Sequence, residues 1–311
     1  MTLYRVELGI KSAFATLPKG DTVFGQICWQ IVNNDGVDEL NRLLAGYTQG
    51  SPFLIVSDIL INNSIVLPPI PRRLIDDREF DISKRKELKR QTMLSIDNLA
   101  KKGFAFDASL LEYAKDKKDF APKESIQMRV KIDRQSGTTG GEGFDPFASV
   151  RLDYGANEDV AATIYVLIDE EKTNIKSVET YLRAVGKVGF GKDATIGRGR
   201  FEVLSAKAHE WGASDSNAII TLSPSVIGGQ GFTQAFYEPF TRWGKHGGNI
   251  TYGNVWKNPV LMADSFACIM SEQKEFVGLG LGGDGSISKT LPQTVQQGYA
   301  PTIPIKLSIK D

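Results

Sequence analysis

The chain has 311 residues with 37 basic and 37 acidic side chains, so its formal net charge is zero and a uniformly basic nucleic-acid coat is excluded. Its 41% hydrophobic content excludes a disordered or low-complexity chain, and its length fits one large or two smaller domains. Its two cysteines, Cys28 and Cys268, lie far apart in apolar surroundings, which indicates buried free thiols and no disulfide or zinc framework.

The beginning of the chain and its apolar runs bear on the compartment. No basic segment followed by an apolar one opens the sequence, and no apolar run is long enough to span a bilayer. We therefore expect no membrane contact and a soluble protein of the reducing cytoplasm.

The N-terminal segment predicts a strand, two helices and a second strand. LYRVELGI (3–10) alternates apolar and polar residues, as a half-buried strand does. Asp21 is predicted to cap a helix whose apolar side carries Val23, Phe24, Ile27, Cys28 and Ile31. VDELNRLLA (37–45) predicts a second helix, and PFLIVSDILI (52–61) a strand.

An irregular and often basic insert follows, from about residue 62 to 160. It contains LPPIPRR (67–73), the charged run KRKELKR (84–90) and the strand-like IQMRVKIDR (126–134). SGTTGGEG (136–143) predicts an exposed tip.

Regular patterns return after the insert. AATIYVLID (161–169) predicts a strand, SVETYLRAV (177–185) an amphipathic helix and RFEVLSA (200–206) a strand. Without the insert the order is β-α-β-β-α-β, that of the ferredoxin-like fold, so the fold class is α+β. Beyond about residue 211 the pattern is mostly β with glycine-rich connections.

The glycine-rich run GFGKDATIGRGR (189–200) does not match the common nucleotide-binding loops. Ala194 replaces the third glycine of a dinucleotide fingerprint, and the spacing from Gly191 to Gly197 is one residue too long for a Walker A loop. Both of those motifs also precede a helix, whereas this loop follows one. The run is therefore either a tight turn with a solvated basic rim or an anion-binding loop, acting through main-chain N–H groups and the side chains of Lys192, Arg198 and Arg200.

Four stretches in chain order resemble one known family. They are LPKGDTVFGQICW (17–29), PFLIVSDIL followed by LPPIPRR, KIDRQSG (131–137) and GFGKDATIGRGRFEV. Together they are similar to the RAMP superfamily of CRISPR RNA-binding proteins, and within it to the fourth Csm-type subunit of type III-A effector complexes. Ser136 stands where the family's I-D-R-x-T-G element has threonine. The likeness spans roughly residues 3 to 205.

The resemblance implies tandem ferredoxin-like (RRM-like) domains: residues 1–208 with the insert, and a divergent, β-rich second domain at 209–311. It also implies a non-catalytic subunit of a hetero-oligomeric complex, without cofactor or metal. Such subunits hold the 5′ tag of the CRISPR RNA (crRNA) and contact the large polymerase-like subunit and a backbone RAMP subunit.

Basic and glycine residues on these elements form the predicted RNA-binding set. Lys19 and Gly20 precede the start of a predicted helix, where main-chain N–H groups form an anion site. Arg72 and Arg73 follow a proline-stiffened segment, and Phe190 is either a base-stacking ring or a core residue. Arg129 and Lys131 are predicted to share a strand face. The full set is Lys19, Gly20, Arg72, Arg73, Arg129, Lys131, Arg134, Gly189, Phe190, Gly191, Lys192, Gly197, Arg198 and Arg200.

Two other functions stay open. Some RAMP proteins cut repeat RNA without metal, and for that reaction His246, beside Lys245, is the candidate general acid or base; His209 is a weaker one. The adjacent acids Asp76 and Asp77 are poor metal ligands by themselves. A third hypothesis is an adaptor that binds only protein.

Overall fold

The computed structural model of the protein describes residues 1–75, 91–113, 122–139, 145–154, 161–213, 215–247 and 254–308. Within this part the helices are α1 (Gly20–Asp35), α2 (Val37–Leu44), α3 (Ile96–Lys101) and α4 (Ile175–Val188). The run KRKELKR, the acids Asp76 and Asp77, and most of the glycine-rich tip after Thr139 lie outside the described residues.

The strands of the first half are β1 (Thr2–Ile10), β2 (Leu54–Val56), β3 (Leu60–Ile61), β4 (Ser64–Val66), β5 (Gln91–Ser95), β6 (Ala105–Phe106), β7 (Leu111–Tyr113), β8 (Lys123–Arg129), β9 (Phe147–Asp153), β10 (Ala161–Ile168) and β11 (Phe201–Ala208). Those of the second half are β12 (Ala218–Thr221), β13 (Gln234–Phe236), β14 (Pro239–Arg242), β15 (Val260–Ala263), β16 (Cys268–Met270), β17 (Phe276–Gly282) and β18 (Val295–Leu307). The protein is therefore α+β with mostly strands, as predicted.

The first sheet has the predicted β-α-β-β-α-β chain order. Its antiparallel strands lie in the order β11-β1-β10-β2, with β3 also paired to β10. The alternating residues Val6, Leu8 and Ile10 are buried beneath α1 and α4, in one apolar core. That core decides the register, because a slip of one residue would turn these side chains to the opposite face.

The predicted strand PFLIVSDILI is split in two. Ser57, Asp58 and Ile59 separate β2 from β3, and the Asp58 N–H donates to the carbonyl of Leu222 in the second half (2.8 Å). The break occurs because this backbone bonds to another part of the molecule at that point.

The insert is more ordered than its sequence pattern indicates. Its strands form a three-stranded sheet β4-β5-β7 and a separate hairpin, β8–β9. The strand β8 ends at Arg129, so Lys131 lies beyond it in the turn. The prediction that Arg129 and Lys131 share a strand face is therefore wrong.

The second half is a sheet in the order β13-β16-β12-β18-β17, to which β6 of the insert adds in parallel. No helix is found among its described residues. A second core contains Leu94 of the insert, Tyr165 of the first sheet, and Ile220 and Ile303 of the second. The two halves therefore pack together over apolar side chains from both.

Candidate nucleic-acid interface

The glycine-rich loop begins where α4 ends, at Gly189, and returns the chain to β11. Gly189, Gly191, Gly197 and Gly199 all have positive φ. This conformation favours glycine, since a Cβ atom makes it costly. The glycines therefore allow the backbone conformation of this loop.

Many main-chain donors of this loop are already used inside the protein. The N–H of Phe190 donates to Gly199 and that of Gly199 to Ala13, both over 2.9 Å. The N–H of Lys192 donates to Thr16 Oγ1 (3.1 Å) and that of Arg200 to Ser12 Oγ (2.9 Å). These four N–H groups are bonded within the protein and are not free for an anion.

Phe190 is a core residue. Its side chain is 1% exposed and packs against Phe14 with ring centroids 6.1 Å apart. Of the two roles open from the sequence, base stacking is therefore wrong.

Arg198 and Arg129 join the loop to the β8–β9 hairpin. Arg129 Nη1 donates to Asp193 Oδ2 over 2.7 Å, with both side chains largely buried. Ser149 Oγ on β9 donates to the same oxygen (3.3 Å), and Arg198 Nη2 donates to Gln127 Oε1 on β8. The polar face of the hairpin therefore lies against the glycine-rich loop.

A third guanidinium lies on the same face of the hairpin. Arg151 is half-exposed and pairs with Asp153 (2.9 Å). Burial lowers the pKa of the Arg198 guanidinium, and the charges of Arg129 and Arg151 lower it further. We call Arg129, Arg151 and Arg198 the arginine cluster.

The arginine cluster contains an unsatisfied donor. Arg198 is 8% exposed, and its Nη1 has no hydrogen-bond partner among the described residues. A buried donor left without a partner costs about 1–3 kcal/mol, and more when it is charged. The site therefore offers an anion a charged N–H group that the protein does not use.

Four further predicted cations lie exposed around this cluster or on its hairpin. Lys192 and Arg200 belong to the loop, while Lys131 and Arg134 lie in the turn after β8. Contact with phosphate requires exposed cations, and the cations of an ordinary solvated surface are exposed as well.

Lys19 and Gly20 do not form the predicted anion site at the start of α1. The Gly20 N–H donates to Asp58 Oδ1 (2.8 Å), and Lys19 Nζ pairs with Asp264. Asp21 is not the cap, which is Lys19; its carboxylate pairs with Arg242 (2.6 Å). Burial raises the pKa of Asp21, and Arg242 opposes that shift. Carboxylates of the protein thus occupy the place of the predicted anion.

Arg72 lies apart from the loop on a short helical turn. Its Nη2 donates to Gln91 Oε1 (2.8 Å), so this guanidinium helps to fix the insert. The side chain of Arg73 lies outside what the structure describes.

The histidines are both held by neighbours. His246 Nε2 lies 2.8 Å from Ser288 Oγ, and burial, with the charge of Lys257, lowers its pKa. His209 packs edge-on against Trp211 with ring centroids 4.6 Å apart.

No group of three His, Cys, Asp or Glu residues that could hold a metal is found in the described part of the chain. Nor is any helix described there long and apolar enough to cross a membrane.

The structure thus brings Arg129, Arg198, Lys192 and Arg200 together and places Lys19, Gly20 and Arg72 elsewhere. Sequence reasoning missed Arg151 and the counter-ion Asp193. The signal for Arg151 is the pairing of two strands across the SGTTGGEG tip, which sets Ser125 opposite Arg151 and two residues from Gln127. Nothing in the local sequence marks Asp193 as a partner of Arg129.

No protein-family model matches the chain, and no curated protein matches it. Solved structures do. A chain of a Csm1–Csm4 cassette in complex with AMPPNP is 15% identical, with a TM-score of 0.57 and all of both chains covered. A chain of a Csm3–Csm4 subcomplex of the type III-A CRISPR-Cas interference complex is 13% identical, with a TM-score of 0.58 over 98% of this chain and 100% of that one. The resemblance predicted from the sequence is therefore confirmed at the level of the fold, which this protein shares with chains of Csm4-containing assemblies over its whole length.

Proposed function

We propose that this protein is an RNA-binding subunit of a type III CRISPR effector complex, where it holds the 5′ tag of the crRNA. Fold likeness to chains of both a Csm1–Csm4 and a Csm3–Csm4 assembly supports the complex, because Csm4 is the component these two have in common. The large polymerase-like subunit and a backbone RAMP subunit are the expected partners, in the cytoplasm.

The arginine cluster is the observation that carries RNA binding. Three guanidiniums converge on a loop whose carboxylate, Asp193, is already bonded to Arg129 and Ser149. Arg198 retains a buried charged donor with no partner in the described chain. A phosphate oxygen satisfies such a donor with a charge-assisted hydrogen bond, the stronger kind. Lys192 and Arg200 extend the positive surface along the loop.

The same proposal includes a non-catalytic role without metal or cofactor. It is supported by the positions of the histidines, one in an aromatic cluster and the other bonded to a serine hydroxyl. It also includes tandem ferredoxin-like domains, in which the second, β-rich half is the divergent unit.

The test is a titration of tag-bearing crRNA into the full chain and into the complex reconstituted with its partner subunits. Arg151→Gln removes one half-exposed guanidinium and should weaken binding about tenfold, the value of one charge-assisted hydrogen bond. It should also reduce the slope of log affinity against log salt by about 0.7. Arg183→Gln is the matched control, since Arg183 lies on α4 and bonds to the carbonyl of Val203. Equal affinities for wild type and Arg151→Gln would contradict the proposal.

A second measurement tests the non-catalytic role. The purified protein is incubated with repeat RNA in EDTA, and the RNA should stay intact. Cleavage that disappears in His246→Ala would establish the endoribonuclease instead.

A further inference from the structure

A cavity of about 380 Å³ lies between the start of α1, the segment from Asp58 through β3 and β4, and the second half of the chain. Its size falls within the roughly 300–1,000 Å³ of small-molecule sites. The predicted anion site at Lys19 and Gly20 borders this cavity. The groups that line the cavity therefore decide which kind of ligand can bind there.

One side of the cavity is apolar. Pro18, Ile59, Leu67, Met93 and Phe266 contribute to its walls, and the half-exposed Val66 also lines it. Apolar and aromatic walls of this kind hold the faces of a flat ring.

The other side of the cavity is acidic. Asp58, Glu238 and Asp264 lie there, and Lys19, the one cation among the described residues that line the cavity, is already paired with Asp264. Asp58 accepts from the Gly20 N–H and, over 2.6 Å, from Ser265 Oγ. Excess negative charge repels a phosphate and favours a ligand that donates N–H groups.

Tyr154 supplies a polar group at the same place. Its side chain is 5% exposed and lines the cavity. Burial raises the pKa of this hydroxyl, and the nearby Asp58 charge raises it further. The hydroxyl therefore stays protonated and can donate a hydrogen bond to a ligand in the cavity.

The cavity adjoins the glycine-rich loop through one short segment. Phe14 packs edge-on against Tyr154 with ring centroids 5.1 Å apart, and it also contacts Phe190 of the loop. Thr16 bonds to Lys192, while the next residues, from Leu17 to Lys19, line the cavity. An RNA strand bound at the arginine cluster therefore passes close to the cavity.

We propose that the cavity receives one base of the bound RNA, and that the base carries an exocyclic amino group. This inference rests on the proposed function. Carboxylates accept from the amino group of cytosine, and the amino groups of adenine and guanine offer the same donor. Uracil has no such group. The apolar walls hold the base face, and the Tyr154 hydroxyl donates to a ring nitrogen or carbonyl.

Nucleosides test the cavity separately from the arginine cluster, because they carry no phosphate. Cytidine, adenosine, guanosine and uridine are titrated into the full chain and followed by ligand-observed NMR. At least one amino-bearing nucleoside should bind about tenfold or more tightly than uridine. Val66→Trp should abolish that binding by filling the cavity. Val37→Trp is the matched control, because Val37 is similarly exposed (54% against 47% for Val66) but lies on α2 outside the cavity.

Tyr154→Phe keeps the ring in the core and removes only the hydroxyl, so it should weaken nucleoside binding several-fold without unfolding the protein. Binding that is unchanged in Val66→Trp, equal for uridine, or absent for all four nucleosides would overturn the inference. Tag-RNA affinity measured on the same preparation reports on the proposed function by itself. If the protein binds tag RNA but none of the nucleosides, the proposed function therefore remains and only the inference about the cavity is overturned.

Discussion

The charged residues at the start of α1 are paired with residues that are distant in the sequence. Asp21 pairs with Arg242, 221 residues further along the chain, and Lys19 pairs with Asp264. Burial raises the pKa of Asp58 from its ordinary 3.8 to about 6, although Lys19 and its hydrogen bonds oppose the shift. Local sequence identifies Lys19 and Gly20 as an anion site because none of these carboxylate contacts is visible in it.

Asp58 should make stability depend on pH. Its pKa is higher in the folded than in the unfolded chain, so its favourable contribution is complete below the unfolded pKa and is lost as pH rises through the folded one. Two pKa units correspond to about 3 kcal/mol as an order of magnitude. Between about pH 4 and pH 7 the free energy of unfolding of wild type should therefore fall relative to Asp58→Asn by about that amount. Urea unfolding at a series of pH values measures this, and parallel curves for the two proteins would contradict it.

At the scale of elements, the β8–β9 hairpin reverses the usual orientation of a surface hairpin. Gln127, Arg129 and Ser149 face the glycine-rich loop, whereas Ile126 and Met128 are exposed. Alternation in the sequence predicts the strand correctly but would turn the apolar face inward. The polar face is turned inward because Asp193 and Arg198 of the loop bond to it.

The glycine-rich loop depends on its glycines to different degrees. A Cβ at Gly199 would lie 2.3 Å from the carbonyl oxygen of Phe190, while one at Gly197 would meet nothing within 4 Å. Both have positive φ, so Gly197→Ala should cost about 1–2 kcal/mol of unfolding free energy. Gly199→Ala should cost at least about 1 kcal/mol more, because backbone must also shift. Chemical denaturation of both variants checks the difference, and equal costs would refute the tight approach.

At the scale of the whole molecule, the two halves are joined by buried polar contacts as well as by their shared core. Gln297 of β18 bonds to both backbone groups of Val56, accepting from N–H (2.9 Å) and donating to the carbonyl (2.8 Å). Tyr299 Oη donates to the carbonyl of Tyr47 (2.7 Å). These contacts predict that the halves unfold together.

Gln297→Ala should lower the free energy of unfolding by about 2–4 kcal/mol, because it leaves a buried N–H and a buried carbonyl unpaired. Gln230→Ala is the control. Gln230 makes the same two kinds of bond, to Gly278 within the second half, but is less buried, so water can replace them at a smaller cost.

Near- and far-ultraviolet circular dichroism should give coincident transitions for wild type, and separate transitions would show that the halves unfold independently.

Local pattern was enough to predict the elements with strong periodicity and the family likeness. It predicted β1, α1, α2, β10, α4 and β11 in their order, because apolar side chains repeat there at the spacing of a strand or a helix. It also identified the glycine-rich loop and its cations. Those features depend on residues that are close together in the sequence, so the local pattern is enough to predict them.

Only the tertiary structure decided which charges are free. Lys19 is bonded to Asp264, 245 residues further along the chain, and Arg72 is bonded to Gln91. Phe190 is a core residue, and Arg151 joins Arg129 and Arg198 across a hairpin. The acid-lined cavity is likewise formed by segments from both halves. The physical reason is that burial and pairing depend on which segments pack together, and that is decided by the whole core rather than by any local stretch of the sequence.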